Sequence, residues 1–218
     1  MFIGHFAIGF GARKADRLIP LGTAFIAVQF LDLLWPVLVI TGIEQVEVDV
    51  GNTAFTPLNF THYPYSHSLL ASMFWSLLFG TVCYLIYRSS RTAMIAGTLV
   101  FSHWILDLIT HTNDLPLSPW SDIKVGLGLW DSIAGTMVVE LGLFLTGVYL
   151  YTKSTIARNR KGNLLLYSLV IFLLVTYLAN IFGPPPPSGR DVAIVAFSMW
   201  LLVGWGYWID RNREPVRS

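Results

Sequence analysis

The chemistry in this chain starts from one run, His103-x-x-x-Asp107-x-x-x-His111, set inside an apolar stretch. Residues four apart stand one turn above another on a single helical face. Imidazole and carboxylate groups so placed can share a metal ion at about 2.0–2.2 Å. A His–Asp hydrogen bond that fixes helix register is the competing reading. In hydrocarbon an ionisable group costs about 2.5–3.5 kcal/mol even on the lenient insertion scale, and that cost argues for the metal. All 5 histidines (His5, His62, His67, His103 and His111) lie within the first 111 residues, and Asp32, Asp107 and Glu140 are acids within apolar stretches. Several such groups in one small protein call for a shared explanation.

The elements that position them are membrane helices. Of the 218 residues 54% are hydrophobic and 12% charged, against about 25% charged in soluble domains. Five stretches are long enough to span a bilayer: Leu18–Thr41, Pro64–Tyr87, Thr92–His111, Leu129–Tyr151 and Asn163–Phe182. A sixth, Val192–Ile209, is near the lower limit of roughly 17 residues. The predicted fold is therefore all-α, a single polytopic bundle over 1–218, with a metal-site region in 1–151 and two further spans in 163–209. A net charge of +1 excludes a nucleic-acid partner, which needs a basic face. The lone cysteine, Cys83, lies in an apolar run and reads as a small buried hydrophobe.

Charge then orients the bundle. Arg13, Lys14 and Arg17, Arg88 and Arg91, Lys153, Arg158, Arg160 and Lys161, and Arg211, Arg213 and Arg217 fall in alternate loops. Only Lys124 and Arg190 of the 14 basic residues fall in the others, which carry Glu44, Glu47, Asp49, Asp114 and Asp122. The positive-inside rule puts the basic side, and with it both termini, in the cytoplasm of an inner membrane. Phe2–Ala12 is too short to span and lacks the leading charge of a signal peptide. With Gly4, Ala7 and Gly11 on one side it reads as a half-helix that packs closely on a neighbour, re-entrant or entering from the outer side.

At about 1.5 Å per residue from the cytoplasmic ends, Asp32 lies near 20 Å, His103 near 17 Å, Asp107 near 22 Å and Glu140 near 18 Å. These groups share one level slightly outside the midplane, and His5 comes out lower, at roughly 12 Å. His62, His67 and His111 lie nearer the outer surface. Each residue has an ordinary alternative. Asp32 could bond groups freed by Pro36, four positions on. Glu140 could be satisfied by close packing among Gly135, Thr136 and Gly142. His62 and His67 could be interfacial histidines, and Asp131, Asn113 and Asp114 loop polars or helix caps. Trp35, Trp104, Trp120 and Trp130 read as belt and packing residues.

The pattern Gly4-His5-Phe6, Asp32, His62-Tyr-Pro-Tyr-Ser66-His67-Ser68 and Ser102-His103-x-x-x-Asp107 resembles the YdjM-like family of membrane-bound metal-dependent hydrolases. That family is similar in turn to zinc phospholipase C and the P1-type nucleases. The resemblance covers roughly the first two-thirds of the chain. It implies a phosphoester-type hydrolase site with His5, Asp32, His67, His103 and Asp107 in ligand positions. The family's His-Arg-Gly-x-Thr-His-Ser appears here with both histidines and without the arginine, and its paired aspartates are reduced to Asp32. Thr136 stands where the phospholipase pattern has a histidine four residues before Glu140. One or two metal ions, rather than three, are the expectation.

The function expected is hydrolysis of a phosphoester of a lipid or lipid-linked substrate, at a site in the outer half of the bilayer. Histidine and carboxylate ligands suit Zn²⁺, with Mn²⁺ or Fe²⁺ as alternatives. The expected ligands are His5, Asp32, His67, His103, Asp107 and His111, with Glu140 or Asp107 as general base. His62, Ser66 and Asp131 are placed beside the ligands or against substrate. A transporter or metal-handling protein is the alternative, opposed by the apolar inner halves Ala93–Val100 and Leu141–Leu150; a non-catalytic assembly factor is another.

Overall fold

The computed structural model describes residues 1–216, and Arg217 of the basic set lies outside the described residues. The chain runs α1 (Ile3–Ala15), α2 (Leu21–Val28), α3 (Phe30–Ile40), β1 (Gln45–Val48), β2 (Leu58–His62), α4 (Pro64–His67) and α5 (Leu69–Tyr87). It continues α6 (Ser90–Thr110), β3 (Leu115–Ser118), β4 (Ser121–Val125), α7 (Ile133–Ser154), β5 (Thr155–Ala157), α8 (Arg160–Phe182), α9 (Gly189–Phe197), α10 (Met199–Asn212) and β6 (Arg213–Pro215). Helices α5, α6, α7, α8 and the run Gly189–Asn212 are long and apolar enough to cross a membrane, and the pair α2–α3 makes up to 6. The all-α polytopic bundle read from the sequence is the fold observed. Its outward faces are apolar, with Leu77, Val138, Leu164 and Leu201 all exposed, as lipid-facing surfaces must be.

The first predicted span, Leu18–Thr41, is not one straight helix. It is bent by 55° between α2 and α3, at Gln29, whose φ of −106° and ψ of 10° leave the helical well. The last carbonyls of a helix have no partner within it, so the Val28 carbonyl at the break is free for a side chain. The next predicted span begins with a separate turn, α4, and Ser68 then caps α5 by accepting from the Ala71 N–H at 3.2 Å. The loops on the site's side form two hairpins, β1–β2 and β3–β4, while β5 pairs with β6 at the basic end.

Close approaches at glycine bind the helices together. A Cβ on Gly80 or Gly97 would stand 3.1 or 3.0 Å from the facing carbonyl of α6 or α5, Ala93 O and Ser76 O respectively. Arg88, left-handed at φ 53°, turns the chain between these two helices. Helix α1 packs on α7 so tightly that a Cβ on Gly147 would lie 2.2 Å from the Ala7 carbonyl oxygen. Ala7 belongs to the small-residue face predicted for the half-helix. Phe6 and Phe10 meet Phe25 edge-on at 5.0 and 5.1 Å, a geometry worth about 0.5–1.5 kcal/mol per pair.

Helix α1 ends at the basic side: Arg91 donates to Ala15 O at 2.8 Å, and Thr92 donates to Asp16 at 2.6 Å. Its first turn lies deep in the bundle, where the Met1 nitrogen is 2.8 Å from Asp107 Oδ1. Met1 itself thus lies inside the bundle, at the opposite end of α1 from its basic last turn. Between that first turn and the basic end, Ala12, Ala24, Ala27, Val28, Cys83, Ala96, Leu99 and Val100 form a buried apolar layer.

Candidate metal centre

Two residues one turn apart on α6 anchor the site. His103 and Asp107 are both buried, 1% and 2% exposed, and His103 Nε2 stands 3.1 Å from Asp107 Oδ2. The break at Gln29 fixes the ring of His103: its Nδ1 lies 2.7 Å from the Val28 carbonyl. A carbonyl only accepts, so Nδ1 carries a hydrogen, and in the neutral ring Nε2 holds the lone pair. That Nε2 is buried and has no hydrogen-bond partner.

Asp32 comes from the first turn of α3 and His67 from the end of α4. Asp32 Oδ1 is 3.3 Å from His67 Nε2 and 3.7 Å from His103 Nε2. His67 Nε2 is 3.9 Å from Asp107 Oδ2. His5 arrives from α1, its ring stacked on that of His103 at 3.7 Å with the planes 4° apart. Its Nε2 is 3.1 Å from Asp107 Oδ1. The ligand-type atoms fall into two groups sharing His103, namely Asp32, His67 and His103, and His5, His103 and Asp107. One side chain is open: Asp32 is 28% exposed, against 3% for Asp107.

Five of the six expected ligands thus converge. His111 lies apart. Helix α6 ends at Thr110, and His111 is extended at φ −62°, ψ 149°, so the one-turn spacing from Asp107 no longer sets its direction. Its Nδ1 lies 3.0 Å from Asp114 Oδ1 and 3.2 Å from the Tyr63 hydroxyl, and its ring lies 4.3 Å from that of Trp130. Burial, with Asp114 behind it, pushes the Tyr63 phenol well above its ordinary range, so this hydroxyl keeps its proton.

Glu140 sits beside the cluster, fully buried, and accepts from the Phe2 and Gly4 N–H groups at 3.0 and 3.1 Å through Oε2. These are amides at the start of α1 that have no partner within a helix. Ser66 bridges His67 Nδ1 and Glu44, at 2.6 Å to each. His62 is exposed at the end of β2, its ring facing Tyr65, and Asp131 is exposed in a short turn before α7; neither joins the two groups. Trp35, Trp104 and Trp130 are buried packing residues, whereas Trp120 is 86% exposed at a hairpin turn.

The sequence reading passed over Glu44, Gln29 and the Val28 carbonyl. Glu44 looked like one acid among several in an outer loop, yet it is 1% exposed. Gln29 is equally buried, with both amide atoms unpartnered. A carbonyl acceptor leaves no mark in a sequence at all.

Among families, the one described as YdjM inner membrane protein matches residues 39–185. The matched span includes His67, His103, Asp107 and Glu140, while His5 and Asp32 precede it. No curated protein and no solved structure matches the chain. A match over well more than half of the 218 residues, on a bundle with five or six spanning helices, fixes the relationship: this multi-pass membrane protein belongs to the YdjM inner membrane protein family.

Proposed function

We propose that the chain is a metal-dependent hydrolase of the inner membrane that acts on a phosphoester of a lipid or lipid-linked substrate. Asp32 Oδ1, His67 Nε2 and His103 Nε2 would hold one divalent cation, with Asp107 Oδ2 beside them as a further donor. The spacing of these atoms carries the reading. Asp32 Oδ1 lies 3.3 and 3.7 Å from the nitrogens of His67 and His103, and Asp107 Oδ2 lies 3.9 and 3.1 Å from the same two. A tetrahedral shell at about 2.1 Å has edges of about 3.4 Å. His103 Nε2 stands 3.1 Å from Asp107 Oδ2 without the alignment of a hydrogen bond, as two donors facing a shared cation would. Nitrogen and carboxylate donors in this number suit Zn²⁺, with Mn²⁺ or Fe²⁺ as alternatives.

When bound, such a cation supplies Lewis acidity and a water acidic enough to give hydroxide near neutral pH. The protein's part is to aim, anchor and accept. The Val28 carbonyl aims His103. Glu140 anchors α1 and thereby His5, which meets Asp107 Oδ1 and stacks on the ring of His103. Asp107 has His103 at one oxygen and His5 and Met1 at the other. Asp32 is the side chain a substrate can reach, so its second oxygen is the acceptor we assign to the proton of the attacking water. With the basic loops in the cytoplasm, as the positive-inside rule expects, the site would lie in the outer half of the bilayer, open to lipid or to a substrate arriving from outside.

The bend at Gln29 supports a second reading, since transporters build midplane sites from broken helices. The apolar layer from Ala12 to Val100 closes the inner half beneath the site, and this favours hydrolysis over passage. The test is release of product from p-nitrophenyl phosphorylcholine and from phospholipid in mixed micelles, before and after chelation and zinc return. Turnover that follows the metal and disappears in His67→Ala is expected. Zinc-loaded protein that hydrolyses neither probe would remove the hydrolase and leave a metal-binding protein.

A further inference from the structure

Glu44 follows the end of α3, in the loop that leads into β1, yet its carboxylate is buried and fully engaged. Oε1 accepts the Tyr65 and Ser66 N–H groups, each at 2.8 Å. Oε2 lies 2.6 Å from Ser66 Oγ, the length of a hydroxyl bound to a carboxylate. Ser66 Oγ is in turn 2.6 Å from His67 Nδ1. A hydroxyl has one hydrogen to give. With Glu44 held as an acceptor by two backbone amides, Ser66 donates to Glu44 and accepts from His67 Nδ1–H.

We infer that Glu44 is a positioning residue which, through Ser66, fixes the tautomer of His67. With its hydrogen on Nδ1, His67 presents a bare Nε2 toward Asp32 Oδ1 and Asp107 Oδ2, at 3.3 and 3.9 Å. His103 is set the same way by the Val28 carbonyl, so both imidazoles turn lone pairs to one point. The purpose of the chain rests on the proposed metal site; the direction of its hydrogen bonds does not. Outer partners of this kind orient a metal-binding histidine and raise its basicity.

A one-atom change tests the direction. In Glu44→Gln the two backbone amides still require an acceptor, so the carboxamide oxygen stays on them and its NH₂ meets Ser66 Oγ. Ser66 then accepts from Gln and donates to His67 Nδ1, which moves the ring hydrogen to Nε2 and covers the lone pair. The readout is the tautomer of His67 in nitrogen-15 histidine spectra of the metal-free, detergent-purified full chain. Wild type and Ser66→Thr, which keeps the hydroxyl, are expected to show Nδ1–H, and Glu44→Gln to show Nε2–H. Zinc affinity measured by chelator competition should fall about 10- to 100-fold in Glu44→Gln and stay near wild type in Ser66→Thr. A folded Glu44→Gln protein whose His67 keeps Nδ1–H would overturn the inference and reduce Glu44 to a loop anchor. Absence of zinc uptake by wild type would end the metal reading alone, because the tautomer shift is read without metal.

Discussion

Glu140 separates two roles for a buried carboxylate, and a pair of substitutions tells them apart. Its Oε2 accepts two amide hydrogens at 3.0 and 3.1 Å from the start of α1. Hydrogen bonds to a charged group contribute about 1.5–3 kcal/mol each and neutral ones about 0.5–1.5. Glu140→Leu loses both bonds and leaves the buried Gly4 amide and the half-buried Phe2 amide without partners, a cost of about 3–6 kcal/mol. Glu140→Gln keeps an acceptor in place and should cost about 2–3 kcal/mol, the difference between two charged and two neutral bonds. Thermal unfolding followed by tryptophan fluorescence gives the ranking, and hydrogen exchange at Gly4 shows whether the first turn of α1 opens. Glu140→Gln should keep its zinc and most of its turnover, because Asp32 and not Glu140 is assigned the proton. Full-strength zinc binding with turnover abolished in Glu140→Gln would refute the assignment and make Glu140 the general base. Unchanged stability in Glu140→Leu would refute the anchoring itself.

Three further outcomes follow from the same geometry. Gly147→Ala places a methyl 2.2 Å from the Ala7 carbonyl oxygen, so α1 must shift by about 1 Å; overpacking of this kind costs about 1–3 kcal/mol, and a lower melting temperature with weaker zinc binding checks it. His111→Ala should lower stability through its lost contacts with Tyr63, Asp114 and Trp130 while leaving zinc content unchanged; loss of zinc in a folded variant would return His111 to the ligands. In a Cys83→Ser background, Trp120→Cys should react with an impermeant maleimide on whole cells, and Lys161→Cys only after permeabilisation. The reverse pattern would invert the bundle and move the site to the inner half of the bilayer.

Much of this architecture was legible because hydrocarbon punishes polarity. Apolar runs of about 20 residues mark the spans, and the ionisable residues left within them mark the site. His103 and Asp107 could be paired from spacing alone, since both lie well inside α6. The same reasoning stopped at His111, because the helix ends one residue earlier and spacing means nothing beyond a cap. The bend was hidden, as Val28-Gln29-Phe30 contains neither glycine nor proline. Glu44 was hidden for another reason. An acid in a polar loop looks solvated until the fold closes α4 over it, and only then does its burial raise the question of what it holds. Met1 beside Asp107 likewise depends on how α1 docks, which rests on the contact between Gly147 and Ala7.

The central claim is that Asp32, His67 and His103, with Asp107 beside them, hold a divalent cation. Metal content of the detergent-purified protein, measured by mass spectrometry beside His103→Ala and Asp107→Asn, tests it most directly. About one zinc, manganese or iron ion per chain in wild type, lost in both folded variants, is the predicted result. A well-folded wild type that holds no metal and takes none up would contradict the account and make the cluster a packing network.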